Sequence, residues 1–181
     1  MEVREILWMP ECLRTSVIPF AQRSAISPEA SFAQVNGVRI AYESRGKGYP
    51  LLMLHGFPRT HHVWDKVRPG LEGRFTVVTP DRRGYGESDR PTDPDAYGNA
   101  ANAADDLALM DHLGFDRFMV VGHDRGAPVA QLLAADQAER VSGALIIDAT
   151  PQGLDRGPRR DPSGRGWYLD FFRQRGVAEQ L

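Results

Sequence analysis

The run Val120-Val121-Gly122-His123-Asp124-Arg125-Gly126-Ala127-Pro128-Val129 leads an apolar strand pattern into a Gly-x-Asp-x-Gly pentad and straight on into an Ala- and Leu-rich helix. That spacing belongs to a sharp strand-to-helix turn that pushes its central side chain outward, and serine is the commoner residue there. Asp124 in that place serves a different chemistry. A serine beside an anion hole suits attack on an acyl carbon, whereas a carboxylate is ionised at neutral pH without a base and can attack saturated carbon directly, leaving an ester. The competing reading of Asp124 is a helix N-cap that accepts backbone N–H bonds.

Two other loops bear on the same site. His55-Gly56-Phe57-Pro58 follows the apolar run at 51–54 and can bring a backbone N–H, that of Phe57, beside the turn after Asp124. With the N–H of Arg125 it would form an anion hole; the alternative is an ordinary Gly-Pro turn. Asp81-Arg82-Arg83-Gly84-Tyr85-Gly86-Glu87-Ser88 has two glycines but neither the lysine of a phosphate loop nor the third glycine of a dinucleotide fingerprint, so it reads as scaffold.

The elements that would carry these loops are legible from periodicity. Residues 31–35 and 38–44 flank Asn36-Gly37, an antiparallel hairpin with a type I′ turn. The runs at 51–54, 75–78 and 118–121 are apolar enough to be strands covered on both faces, and 144–148 is the last strand the pattern offers. A short helix over 62–68 presents Trp64 and Val67. Between Gly98 and Gly114 a helix carries Ala103, Leu107, Met110 and Leu113 on one stripe, with Asp105 and Asp106 off it. A central helix over 127–135 tolerates Pro128 in its first turn. Strands alternating with helices after an opening hairpin imply an α/β fold with a mostly parallel, doubly wound sheet, whose reactive groups lie beyond the carboxyl ends of the strands.

With 181 residues, 41% hydrophobic and 25% charged, the chain has the makings of one core. Residues 1–30 read as a poorly ordered extension, 31–150 as the core, and 151–181 as a polar segment that turns aromatic from Trp167. A net charge of -2 gives no general attraction for nucleic acid or an anionic membrane. Arg82-Arg83 and Arg159-Arg160 read as solvated loop charges. Cys12 is the lone cysteine, nothing has metal-ligand spacing, and the opening residues carry neither a basic leader nor a long apolar run, so a cytoplasmic protein without metal or cofactor is expected.

The three motifs, in this order and separation, resemble the α/β-hydrolase superfamily over about residues 35–150. An aspartate at the elbow is similar to the haloalkane and haloacid dehalogenases and the epoxide hydrolases, and Gly122-His123-Asp124-Arg125-Gly126 most resembles the haloacetate (fluoroacetate) dehalogenases. The resemblance implies that Asp124 displaces halide in line from carbon and that a histidine-activated water hydrolyses the resulting ester. It implies that Asp148 orients this histidine and that Arg125 holds a small-molecule substrate's carboxylate. For Asp148 the alternative is a strand-end carboxylate capping a turn.

The chain departs from that pattern in three places. Pro128 stands where the family's carboxylate clamp has a second arginine, and Leu169 and Asp170 stand where its cap has a halide-binding histidine and tryptophan. Trp167 or Tyr168, a few positions away, could supply the N–H or O–H instead. The five histidines are His55, His61, His62, His112 and His123, and none follows the last strand, where the family carries its water-activating base. The sequence therefore reads as an N-terminal portion of the fold: its core ends before the final strands, and 151–181 opens a cap. An ester on Asp124 is expected to persist, and the strand at 144–148 to lie as an apolar edge that favours association into homo-oligomers. The rival reading is a non-catalytic homologue or small-ligand binding module.

Overall fold

The computed structural model describes residues 30–149. Trp167, Tyr168, Leu169 and Asp170, with both terminal segments, lie outside the described residues.

Strands β1 (Ser31–Val35) and β2 (Val38–Gly46) form the opening hairpin. Its turn residues Asn36 and Gly37 have φ of 46° and 78°, the left-handed pair a type I′ turn requires. Strands β3 (Tyr49–Leu54), β4 (Phe75–Pro80), β5 (Phe118–His123) and β6 (Val141–Ile147) complete a six-stranded sheet of order β1-β2-β4-β3-β5-β6. The β1–β2 and β2–β4 pairs are antiparallel, and β4, β3, β5 and β6 run parallel.

The period-two alternation of the central strands feeds two apolar layers. Leu52, Leu54, Val78 and Val120 pack with Leu109 and Met110 of α1 (Asn99–His112) and with Val129 and Leu133 of α2 (Ala127–Asp136). Leu51, Met53, Val77 and Val121 face the other way, against Trp64. Layers on both faces explain why these strands read as continuous hydrophobic runs. Gly114, with φ of 75°, follows α1 in the backbone conformation that commonly ends a helix.

Four expectations are corrected. The segment expected as one helix over 62–68 is instead two 3-10 turns, His61–Trp64 and Arg68–Gly70; Trp64 turns inward, and Val67, between the turns, faces outward. Asp105 and Asp106, expected off the buried stripe, are both buried. So are Arg82 and Arg83, expected as solvated loop charges. For Arg83 and Asp105 the cause is mutual. Arg83 makes a two-pronged bond to Asp105, with both N···O distances 2.7 Å, and donates from Nη1 to the Ala96 carbonyl. A forked guanidinium matched to a carboxylate tolerates burial that neither charge would tolerate alone. Strand β6 also starts three residues earlier than its apolar core suggests, and it stops before Asp148. Among the described residues it is, with β1, one of the two edge strands, and Leu145 is 56% exposed. No described helix is long and apolar enough to cross a membrane.

Candidate active site

Asp124 directly follows β5 and has φ of 49°, a left-handed conformation that side-chain-bearing residues rarely adopt. It opens a single 3-10 turn, Asp124–Gly126, whose carbonyl at Asp124 accepts the N–H of Ala127 as α2 begins. The turn fits only because its neighbours lack side chains. A Cβ on Gly126 would strike the carbonyl oxygen of Leu54, and a Cβ on Gly56 would stand 2.5 Å from the Asp124 Cβ. The loop after β3 and the turn after β5 therefore touch. Across that contact the Phe57 N–H donates to Asp124 Oδ1 at 2.9 Å. This bond comes from a neighbouring loop, whereas an N-cap carboxylate would bind the amides of its own helix.

The same contact divides the carboxylate. Oδ1 is anchored, and Oδ2 takes no hydrogen bond from the described residues. Arg125 presents its side chain to solvent, and its carbonyl accepts Nη1 of Arg82 at 2.9 Å.

Asp148 directly follows β6 with φ of 52°, the same unusual backbone region. His123 and Ile147 are register partners, so Asp124 and Asp148 leave adjacent parallel strands at the same level. Neighbouring strands lie about 4.8 Å apart. Asp148 is exposed, and among the described residues nothing bonds its carboxylate.

None of the histidines bonds Asp124 or Asp148. His55 is wholly buried; its Nε2 accepts the N–H of Arg82, which leaves Nδ1–H to donate to the Gly56 carbonyl at 3.0 Å. Burial lowers its pKa to about 4, so it stays neutral with its lone pair engaged. His61 is buried, with Nδ1 2.8 Å from Asp81 Oδ1 and Nε2 3.8 Å from Glu43 Oε1. Burial works against charge on His61, but the hydrogen bond and charge of Asp81 prevail and raise its pKa. Burial likewise opposes charge on Asp81, yet bonds from His61 and from the Glu87 N–H bring its carboxyl down to about 2. His62 pairs with Asp65, His112 is exposed at the end of α1, and the half-buried His123 lies edge-on to Trp64 with ring centroids 6.4 Å apart.

The loop after β4 is scaffold to the extent that Asp81 ties it to His61, and Ser88 donates to the Asp81 carbonyl and accepts the Ala41 N–H. Sequence reasoning missed Arg82, which reaches from that loop to the elbow. No local signal pointed to this contact, because it joins a side chain of one loop to a backbone carbonyl 43 residues away. Among the described residues no three His, Cys, Asp or Glu side chains group to hold a metal. Trp167 and Tyr168, expected near the substrate, lie outside the described residues.

A family profile described as the alpha/beta hydrolase fold matches residues 49–179. A soluble epoxide hydrolase of Corynebacterium sp. (strain C12) is 40% identical over 119 residues, covering 66% of this chain and 41% of that protein. A fluoroacetate dehalogenase of Burkholderia sp. is 40% identical over 126 residues, covering 68% of this chain and 41% of that protein. Among solved structures, an epoxide hydrolase from Vigna radiata superposes with a TM-score of 0.72 at 29% identity, covering 84% of this chain and 52% of that one. The chain thus spans about two fifths of these curated relatives and half of the solved one. A strand-to-helix bend at the carboxyl end of a mostly parallel sheet, matched by this profile over most of its length, makes the chain a member of the α/β-hydrolase fold family.

Proposed function

We propose that Asp124 is the nucleophile of a hydrolase that acts on small haloacids, with epoxides as the alternative substrate class. The observation that carries this reading is the bond from the Phe57 N–H to Asp124 Oδ1, made at a residue held at positive φ. An anchored Oδ1 leaves Oδ2 to attack. A bond forms from Oδ2 to the substrate carbon, the carbon–halogen bond breaks, and halide departs with its electron pair. Oδ1 then becomes the ester carbonyl oxygen. When water attacks Cγ, charge returns to Oδ1, where the Phe57 N–H already points and the Arg125 N–H would join it. Arg125, exposed beside the nucleophile, suits a substrate carboxylate.

Asp148 leaves the neighbouring strand at the same level as Asp124, and this register supports a part for it in orienting a histidine that takes the water's proton. None of the five histidines bonds Asp124 or Asp148, and His55 and His61 are committed to other partners. General-base assistance is worth about a hundred- to ten-thousandfold, so the ester on this chain is expected to accumulate. Counting halide released from a haloacetate tests the reading. A single halide per chain followed by arrest supports it, and no release from haloacids together with no opening of epoxides defeats it. A non-catalytic binding module is favoured only by the lack of a histidine bonded to Asp124 or Asp148, and it forecasts ligand binding with no covalent change.

A further inference from the structure

Arg82 is buried beneath the elbow, yet it does not behave like the other buried cation of its loop. Arg83 is fully engaged by Asp105 and Ala96. Arg82 donates only from Nη1, to the carbonyl of Arg125, and leaves Nε and Nη2 buried without partners. Its guanidinium carbon lies 5.3 Å from the Tyr85 ring centroid. Asp106, on α1, is buried too, with its Oδ2 unpartnered, and the two residues form no direct ion pair. A native protein rarely leaves a buried guanidinium so incompletely paired unless something other than local stability retains it.

The single bond it does make falls on the residue after the nucleophile. Its charge is also poorly cancelled on the helix side: burial pushes the Asp106 carboxyl up to about 8 even though Arg82 pulls the other way. Burial opposes the charge on Arg82, and Asp124 is among the neighbours that favour it. We propose that Arg82 is a positioning residue for Asp124, holding the Arg125 carbonyl so that the left-handed bend keeps its shape and the Asp124 carboxylate keeps its aim. The inference rests on the reading of Asp124 as nucleophile, and it assigns the loop after β4 a part in the chemistry beyond scaffolding.

The test compares wild type with Arg82→Met, Arg82→Gln and Arg82→Lys in the full chain. Two amides report the bend independently of chemistry: Phe57, which donates to Asp124 Oδ1, and Ala127, which donates to the Asp124 carbonyl. Their hydrogen exchange is expected to speed up in Arg82→Met. The rate of alkylation by a haloacetate at saturation is expected to fall about ten- to a hundredfold, as for loss of one charge-assisted bond, with little change in the half-saturating concentration. Arg82→Lys, which can still donate to the Arg125 carbonyl, is expected to recover part of both losses. If Arg82→Met does not fold, Arg82→Gln is read in the same way. Wild-type exchange at Phe57 and Ala127 in the Met or Gln variant overturns the proposal, as does unaltered alkylation despite faster exchange, or a Lys variant no better than Met. If wild type itself is not alkylated, the nucleophile reading fails, while the exchange measurement still decides whether Arg82 holds the bend.

Discussion

Phe57 donates its backbone N–H to Asp124 Oδ1 at 2.9 Å across the contact between two strand-end loops. Backbone donors in this fold serve an oxyanion on a substrate when the elbow carries serine. With aspartate at the elbow the same donor grips the Asp124 carboxylate itself, and orientation of that carboxylate becomes a property of the loop that starts at His55. Gly56 is the hinge of that relationship, because a Cβ there would stand 2.7 Å from Oδ1. Gly56→Ala is expected to displace the carboxylate and slow alkylation by roughly a hundredfold, the usual scale for losing one such donor. Single-turnover alkylation beside a thermal melt separates this from general unfolding.

Asp106 makes stability pH-dependent. Its folded pKa of about 8 lies above the ordinary carboxylate value near about 4, so between those values the folded chain keeps a proton that the unfolded chain releases. Raising the pH through that window favours unfolding. Urea midpoints are expected to fall from pH 5 to pH 9 in wild type, and the fall is expected to flatten in Asp106→Asn, which cannot ionise.

His61 and Asp81 act at opposite ends of the scale. Asp81 is held down to about 2, so its contribution is complete above about pH 4 and is lost as pH falls toward 2. The raised His61 pKa contributes fully below the ordinary histidine value, and that contribution is lost as pH rises through the folded value. Asp81→Asn leaves a buried imidazole facing a neutral amide, and is expected to cost about 3–5 kcal/mol, the scale for breaking a buried pair. Chemical denaturation at neutral pH measures it.

Strand β6 presents Leu145, 56% exposed, along the outer edge of the sheet. An apolar edge that no other described strand covers pairs readily with another strand. Self-association is expected to rise with concentration in sedimentation velocity, and Leu145→Lys is expected to suppress it without lowering the melting temperature.

Local signals carried the architecture. Asn36-Gly37 set the hairpin because two left-handed residues in succession suit few sequences, and the apolar runs of β3, β4 and β5 announced strands covered on both sides. The elbow was legible for the same reason, since its glycines answer to a backbone approach. Buried charge was not legible. Arg83 and Asp105 lie 22 residues apart, and each looks like a surface residue until the other is placed beside it. Periodicity equates polar with exposed, so it sent Asp105, Asp106, Arg82 and Arg83 to solvent. The start of β6 at Val141 was hidden by Ser142 and Gly143, which enter the sheet through pairing with β5 and not through their own preference.

The most direct measurement is the intact mass of the chain after exposure to a haloacetate at neutral pH, followed by peptide mapping, with Asp124→Asn alongside. Asparagine tolerates the left-handed backbone at this position, so the variant should fold. One adduct per chain, mapped to Asp124 and absent from Asp124→Asn, is the expected result. An unmodified wild type, or equal modification of the Asn variant, contradicts the assignment of Asp124 as the attacking group.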